Sequence, residues 1–282
     1  MLDPSWLTGL ALGDPIAANP LDGGYASKTY RVRTTLGRSV VVKTQDSLPP
    51  DLYYLEADGL NALRSTGGFA VPEVLRMTPS FIVLSDLGTS EPSPTYWEDA
   101  GRALAAQHGQ TAAEFGYHQD NYLGLLPQRN PWTADGHAFY AEHRLLRFLE
   151  LPTCHDQLPP EDRRRLERVA GRLTDLIPDQ PPSLLHGDLW HGNLLPSPTG
   201  SPAVIDPAVY YGWPEADLAT LLIYGQLSDS FFEAYEEVHP LTPGWRDRLP
   251  LLHLRELLSI TAQTPEAAET VGEIHTILKN FD

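Results

Sequence analysis

Between Leu184 and Leu195 the chain reads LLHGDLWHGNLL, and Ala203–Ala208 read AVIDPA. Three of these side chains form a pattern suited to phosphoryl transfer. Asp188 and Asn193 are five positions apart, and Asp206 follows Asn193 by thirteen, at the end of the β-type run Ala203-Val204-Ile205. In such a site the first aspartate takes or orients a hydroxyl. The asparagine and second aspartate hold the Mg²⁺ ions on a nucleotide's phosphates. A lone D-x4-N is a weak signal. A histidine two before the aspartate, apolar flanks and Ile-Asp-Pro at this distance make it strong. Gly, Asp and Asn also build turns, so the alternative is a pair of loops without chemistry. His186 is structural on either reading.

Such a triad needs a phosphate cover, and the N-terminal region offers one. Leu21–Val32 read LDGGYASKTYRV, and Arg38–Thr44 read RSVVVKT. Gly37 marks the turn between two predicted strands. Backbone N–H groups near Gly23, Gly24, Ala26 and Ser27 could cradle phosphate oxygens, with Lys43 reaching the α- and β-phosphates. Alone, this segment is equally an ordinary hairpin with a solvated lysine. A predicted helix over 52–64 carries Glu56 and Asp58 among Leu55, Leu60 and Leu63, and Glu56 is the chosen partner of Lys43. Strands are expected over 70–74 and 81–84. The chain then leaves the sheet at Ser85–Gly88, where a kinase hinge would pair its backbone with adenine, making Ser85 and Leu87 nucleotide candidates. The lobe boundary is set near residue 88, with an N-lobe over 1–88 and a C-lobe over 89–282.

Helices are expected over 94–107, 135–151, 161–177, 228–237, 243–260 and 266–278, a short one over 4–12, and a loop over 115–129. His108 reads as a packed core residue. Asp217, in PEADLATLL, reads as a support for the catalytic loop rather than a reacting group. Only Pro207–Pro214 separate Asp206 from the helix starting near Glu215. A protein kinase's activation segment does not fit there, which favours a small-molecule acceptor.

Length and composition set the limits. The 282 residues suffice for one large domain or two lobes. The net charge of −17 argues against nucleic acid, which is bound through Lys and Arg, and against an anionic membrane surface. An acidic surface suits a soluble protein, which is the preferred reading, and only weakly favours cationic small substrates. Cys154 is the single cysteine, which rules out an intramolecular disulfide and a Cys-based zinc site. The N-terminal stretch lacks a signal-peptide pattern and no apolar run reaches membrane-span length, so a cytoplasmic protein is expected.

On these residues the chain resembles the fructosamine kinase (ketosamine 3-kinase) family, within the aminoglycoside-phosphotransferase-like kinases. The matching pieces run nearly end to end, and HGDLW-x-GN with DPAVYYG is the most specific combination. The resemblance implies an α+β, two-lobed protein-kinase-like fold with an antiparallel N-lobe sheet, one N-lobe helix and a mostly helical C-lobe. It implies ATP and Mg²⁺ as cofactors and a sugar hydroxyl of a ketosamine as acceptor, on a small amine or a glycated protein, in a deglycation role and as a monomer. It makes Asp188 the catalytic base, Asn193 and Asp206 the metal ligands, and Lys43 with Glu56 the phosphate-anchoring pair. Trp190, Tyr210, Tyr211 and Glu215 become substrate residues. Two departures stand out. Tyr25 occupies about the place of a redox-active cysteine found in some members, and Leu257-Leu258-Ser259-Ile260 replaces an Asn-His pair. The rival readings are a kinase for an aminoglycoside, choline or an amino-sugar, and a non-catalytic nucleotide binder. The second expects loss of Lys43, Asp188, Asn193 or Asp206, and all four are present.

Overall fold

The computed structural model describes residues 3–21, 27–45, 49–88, 90–222 and 227–282. The N-terminal part is built on an antiparallel sheet of order β1-β2-β3-β5-β4, with β1 Pro15–Leu21, β2 Lys28–Thr34, β3 Ser39–Thr44, β4 Val74–Met77 and β5 Phe81–Ser85. Gly37, at φ 69°, closes the β2–β3 turn with its N–H donating to Thr34 O at 3.0 Å. Phe81-Ile82-Val83-Leu84 shows why a continuous apolar run suits a strand covered on both sides. Successive side chains alternate between faces. Phe81 and Val83 pack with Trp6, Val32, Val40 and Val42 on one face, while Ile82 and Leu84 meet Leu52, Tyr53, Ala57 and Leu60 on the other. The second set belongs to α1 (Leu52–Thr66), which ends at Gly67 in the left-handed region.

Several sequence expectations change here. β1 was not anticipated: PIAANPL has two prolines and no alternation, compositions tolerated at a sheet edge, where β1 lies. The strand expected over 70–74 begins instead at Val74, because Pro72 has no N–H to donate to a ladder. Ala70 makes an isolated bridge to Ala203. The helix expected over 4–12 is a single 3₁₀ turn, Pro4–Leu7, followed by Gly9 at φ 81°.

Beyond Gly88 the chain is largely helical. α2 (Tyr96–His108) is followed by a short hairpin, β6 Asn121–Leu123 and β7 Leu126–Gln128, where a loop was expected. The helix expected over 135–151 is regular only in α3 (Gly136–Tyr140). It widens to a π stretch, Ala141–Leu145, and tightens to a 3₁₀ stretch, Leu146–Glu150. Arg144 explains the irregularity. Its buried guanidinium lies 3.9 Å from the Tyr210 ring centroid and donates to Asn130 Oδ1 at 2.6 Å, contacts on the interior side of the helix.

α4 (Pro152–Gln157), α5 (Pro160–Ala170) and α6 (Leu173–Leu176) follow; Gly171 splits the expected 161–177 helix. Short strands β8 Ser183–Leu185, β9 Leu194–Pro196, β10 Pro202–Val204 and β11 Tyr210–Gly212 pair as β8–β11 and β9–β10. α7 (Glu215–Leu222), α8 (Asp229–Val238), α9 (Trp245–Gln263) and α10 (Ala268–Phe281) complete the chain. α2 lies directly on α8: a Cβ on Gly101 would sit 2.2 Å from Phe231 O, so only glycine permits this approach. Among the described residues no helix is long and apolar enough to cross a membrane.

Candidate active site

β8 delivers the chain to His186-Gly187-Asp188, and the loop is held from behind by α7. The Asp217 carboxylate accepts the N–H of His186 at 2.7 Å and of Gly187 at 2.9 Å, and contacts His108 Nε2 at 3.3 Å. Burial alone would raise the pKa of Asp217. The hydrogen bond and charge of His108 outweigh burial, and the carboxyl is held below its usual range. His186 Nε2 meets Ile205 O at 2.9 Å and its Nδ1 accepts from Asp188 N at 3.3 Å, which assigns a neutral ring protonated on Nε2. Burial depresses its pKa accordingly. Gly187 adopts φ 79°, and a Cβ there would lie 2.0 Å from Ala208 O. The loop thus requires glycine at the residue before Asp188.

Asp188 is half-buried. Burial and the charge of Glu256 raise its pKa well above its ordinary value, against the opposing charge of Arg255. Asn193 Nδ2 donates to Asp188 O at 2.8 Å and to its Oδ2 at 3.2 Å. That use of the amide nitrogen leaves Asn193 Oδ1 as the atom free to meet a cation. Asp206 follows β10 at φ 57°, the one non-glycine positive φ among the described residues. The left-handed region is unfavourable for a side-chain-bearing residue, and such positions concentrate at functional sites.

Lys43, on β3, spans the two halves. Its Nζ donates to Glu56 Oε1 of α1 at 2.6 Å and also contacts Asp206 Oδ1. Burial would lower the Lys43 pKa, but Asp206 and Glu56 reverse this and hold it above its ordinary value. Glu56 is shifted upward by burial, in part offset by Lys43. Of the two acids considered on α1, Glu56 makes the pair, and Asp58 accepts from Tyr117 Oη at 2.9 Å instead.

One cleft gathers Lys43, Glu56, Asp188, Asn193 and Asp206, with Ser27 and Trp190 at its walls. Ser27 Oγ is tied to Tyr53 Oη at 3.0 Å. Gly192 lets the Trp190 ring lie across the loop, since a Cβ there would meet that ring at 2.2 Å. Gly23, Gly24 and Ala26 lie outside the described residues. Ser85 is spent within the sheet: its N–H donates to Glu73 O and its Oγ accepts Glu73 N–H, both at 2.8 Å. Its backbone N–H is therefore not open to adenine. At Leu87 neither backbone group is hydrogen-bonded among the described residues, and flanking Asp86 is fixed by Arg31 at 2.8 Å.

Three residues expected at the substrate lie outside the lining of this cleft. Glu215 is 0 % exposed and accepts from Arg248 Nε at 2.9 Å and Thr242 Oγ1 at 3.0 Å, so it is an interior ion pair. Tyr210 is buried beneath Arg144. Tyr211 is half-buried in an aromatic group, 6.0 Å from exposed Trp132 and 6.4 Å from buried Tyr117. None of the three lines the cleft. Sequence reasoning missed Asn121, Tyr122 and Gly124 of the β6–β7 hairpin, which do line it. Their one signal was Gly124, at φ 59°, as the turn of YLGLL.

A hard cation fits the donor set. Asn193 Oδ1 and the Asp206 carboxylate are oxygen ligands of the kind Mg²⁺ takes when phosphates and water supply the rest. Among the described residues no group of three His, Cys, Asp or Glu side chains could hold a metal without such help.

Comparisons with known proteins point to one family. A family model described as fructosamine kinase matches residues 12–271. A ketoamine kinase of Enterococcus faecium is 32% identical over 269 residues, covering 93% of this chain and 94% of its own. A chloroplastic protein-ribulosamine 3-kinase of Oryza sativa subsp. indica is 32% identical, covering 85% of this chain and 71% of its own. A solved structure from Thermobifida fusca, described as a fructosamine-3-kinase, is 34% identical with TM-score 0.88, covering 98% of both chains.

Proposed function

The chain belongs to the fructosamine kinase family, and on that premise we propose how its cleft phosphorylates a sugar hydroxyl of a ketosamine at the expense of ATP. The observation that carries the assignment of roles is the convergence of Lys43–Glu56, Asp188, Asn193 and Asp206 on one cleft from separate elements. Lys43, oriented by Glu56, anchors the nucleotide phosphates. Asn193 Oδ1 and Asp206 would hold Mg²⁺, which when bound would neutralise charge on the phosphates. The Asp188 carboxylate orients the acceptor hydroxyl and receives its proton. The hydroxyl oxygen bonds to the γ-phosphorus as the bond to the bridging β–γ oxygen breaks, and ADP leaves. A raised proton affinity at Asp188 suits a general base. Trp190 offers a flat face to the apolar side of a sugar ring. Leu87 presents the free backbone groups that an adenine edge requires. A cytoplasmic monomer, where ATP and Mg²⁺ are both supplied, suits this reading.

The test is ATP consumption with ribulosamines, fructosamines, glycated peptides, aminoglycosides and choline as acceptors, with the phosphorylated product identified by mass. Turnover confined to ketosamines is expected. Turnover of aminoglycosides or choline alone would overturn the acceptor assignment, and ATP binding without turnover of any acceptor would favour the non-catalytic binder.

A further inference from the structure

α9 is pinned beside the cleft at two points. Near its middle, Arg255 Nη1 donates to Gly187 O at 2.7 Å, one residue before Asp188, and Nη2 donates to Gln128 Oε1 at 2.6 Å. Two turns later, Gln263 Oε1 accepts from Leu125 N at 3.3 Å, beside Gly124, which lines the cleft. Glu256, Ser259 and Gln263 stand at i, i+3 and i+7, so they share the face between those anchors. Ser259 Oγ accepts from Gln263 Nε2 at 3.1 Å.

Glu256 is the charged member of that stripe. Its side chain is 14% exposed, and Oε2 takes a hydrogen bond from Arg255 Nη1 at 3.2 Å. Among the described residues no hydrogen bond reaches Oε1. The same guanidinium therefore joins the Glu256 carboxylate to the backbone of the catalytic loop. Arg255 is divided among Gly187, Gln128 and Glu256, and its charge faces the carboxylates of both Asp188 and Glu256. Arg255 Nη1 thus stands between Glu256 Oε2 and the carbonyl oxygen of Gly187, the residue before the base, and a second carboxylate beside that loop is stabilised when the acceptor itself carries a cation. A ketosamine brings one. Its amine nitrogen is attached to C1, next to the ketose carbonyl carbon, and it is protonated near neutral pH.

We propose that Glu256 is a specificity-determining residue, whose free carboxylate oxygen receives the acceptor's ammonium and so selects cationic ketosamines and turns their hydroxyl toward Asp188. The proposal rests on the ketosamine reading of the cleft. It assigns no proton transfer to Glu256, which acts through charge and position.

The experiment compares two acceptors with the full-length protein and ATP: a fructosamine with a secondary amine, and the same sugar with an ether oxygen in place of the nitrogen. The wild type is expected to favour the amine by about 10–100-fold in kcat/KM, the range for a hydrogen bond to a charged group. Glu256→Gln is expected to raise KM for the amine with a smaller change in kcat, and to collapse the amine-to-ether ratio toward one. KM for ATP reports whether the variant is folded. Equal turnover of both acceptors by the wild type, or an unaltered ratio in a folded Glu256→Gln, would overturn the proposal and leave the kinase assignment standing. The wild-type ratio decides the matter if the variant does not fold. Turnover of neither acceptor would overturn both.

Discussion

Asp217→Ala tests whether the catalytic loop is held from behind as described. The wild-type carboxylate is buried and receives two backbone N–H groups, from His186 and Gly187, beside the His108 imidazole. Alanine removes every acceptor at once. Each buried donor left unpaired costs about 1–3 kcal/mol, and loss of a buried charge's partners reaches about 3–5 kcal/mol in total. For a chain of this size, roughly 2–4 °C of Tm follow each kcal/mol, so a drop of about 10 °C is expected. Activity falls further than stability alone explains. Gly187 sits at φ 79° directly before Asp188, and a loop released at that point misplaces the base, which costs on the order of 10²-fold in kcat. KM for ATP responds less, since Lys43 is fixed from the sheet by Glu56. Asp217→Asn keeps one accepting oxygen and falls between the two. The assay is thermal unfolding beside steady-state kinetics at a temperature where the variant is folded. A Tm within about 3 °C of wild type together with kcat within about threefold would refute the reasoning, since it would place the burden of unpaired donors below the usual range.

Asp188→Ala is expected to lower kcat by about 10²–10⁴-fold while ATP still binds by calorimetry, and more than a tenth of wild-type kcat would sink the base assignment. Asn193→Ala and Asp206→Asn should each move the Mg²⁺ titration of activity to higher concentration; superimposable curves for both would count against the ligand assignment. Cys154 is fully buried and burial pushes its pKa up to about 12. Thiol reagents and mild oxidants should therefore leave the native protein and its kcat unaltered, and a reductant-reversible dimer with changed activity would show otherwise. Burial holds His253 down to about 4, below the ordinary histidine value of about 6.5, with Nε2 unpartnered among the described residues. A depressed histidine pKa means that the unfolded chain binds the extra proton first, so stability is full above about 6.5 and declines as pH falls toward about 4, by about 3 kcal/mol at most. Denaturant midpoints of His253→Gln, measured across that window, should fall less with acid than those of the wild type; parallel curves would be the contrary result.

The catalytic loop was legible in the amino-acid sequence because its chemistry is local. Asp188 and Asn193 lie close enough along the chain to bond directly, and Gly187 and Gly192 are demanded by contacts within or just beside that loop. The sheet was legible for a similar reason, since Val40–Val42 and Phe81–Leu84 state their period over a few residues. The pairing of Lys43 with Glu56 followed once the strand and helix were placed. Tertiary structure alone decided which polar residues face the cleft. Tyr210 and Glu215 stand in a motif-rich stretch, yet Arg144 and Arg248 draw them into the interior. Asn121, Tyr122 and Arg255 gave no local sign of nearness to the catalytic loop, although a hairpin and a helix bring them beside it, and Glu256 follows through its bond to Arg255. Periodicity tells a residue that one side of its element will be covered. Which distant element covers it depends on how helices and strands far apart in the chain pack together, and that packing determines where a charge ends up buried, paired or open to a substrate.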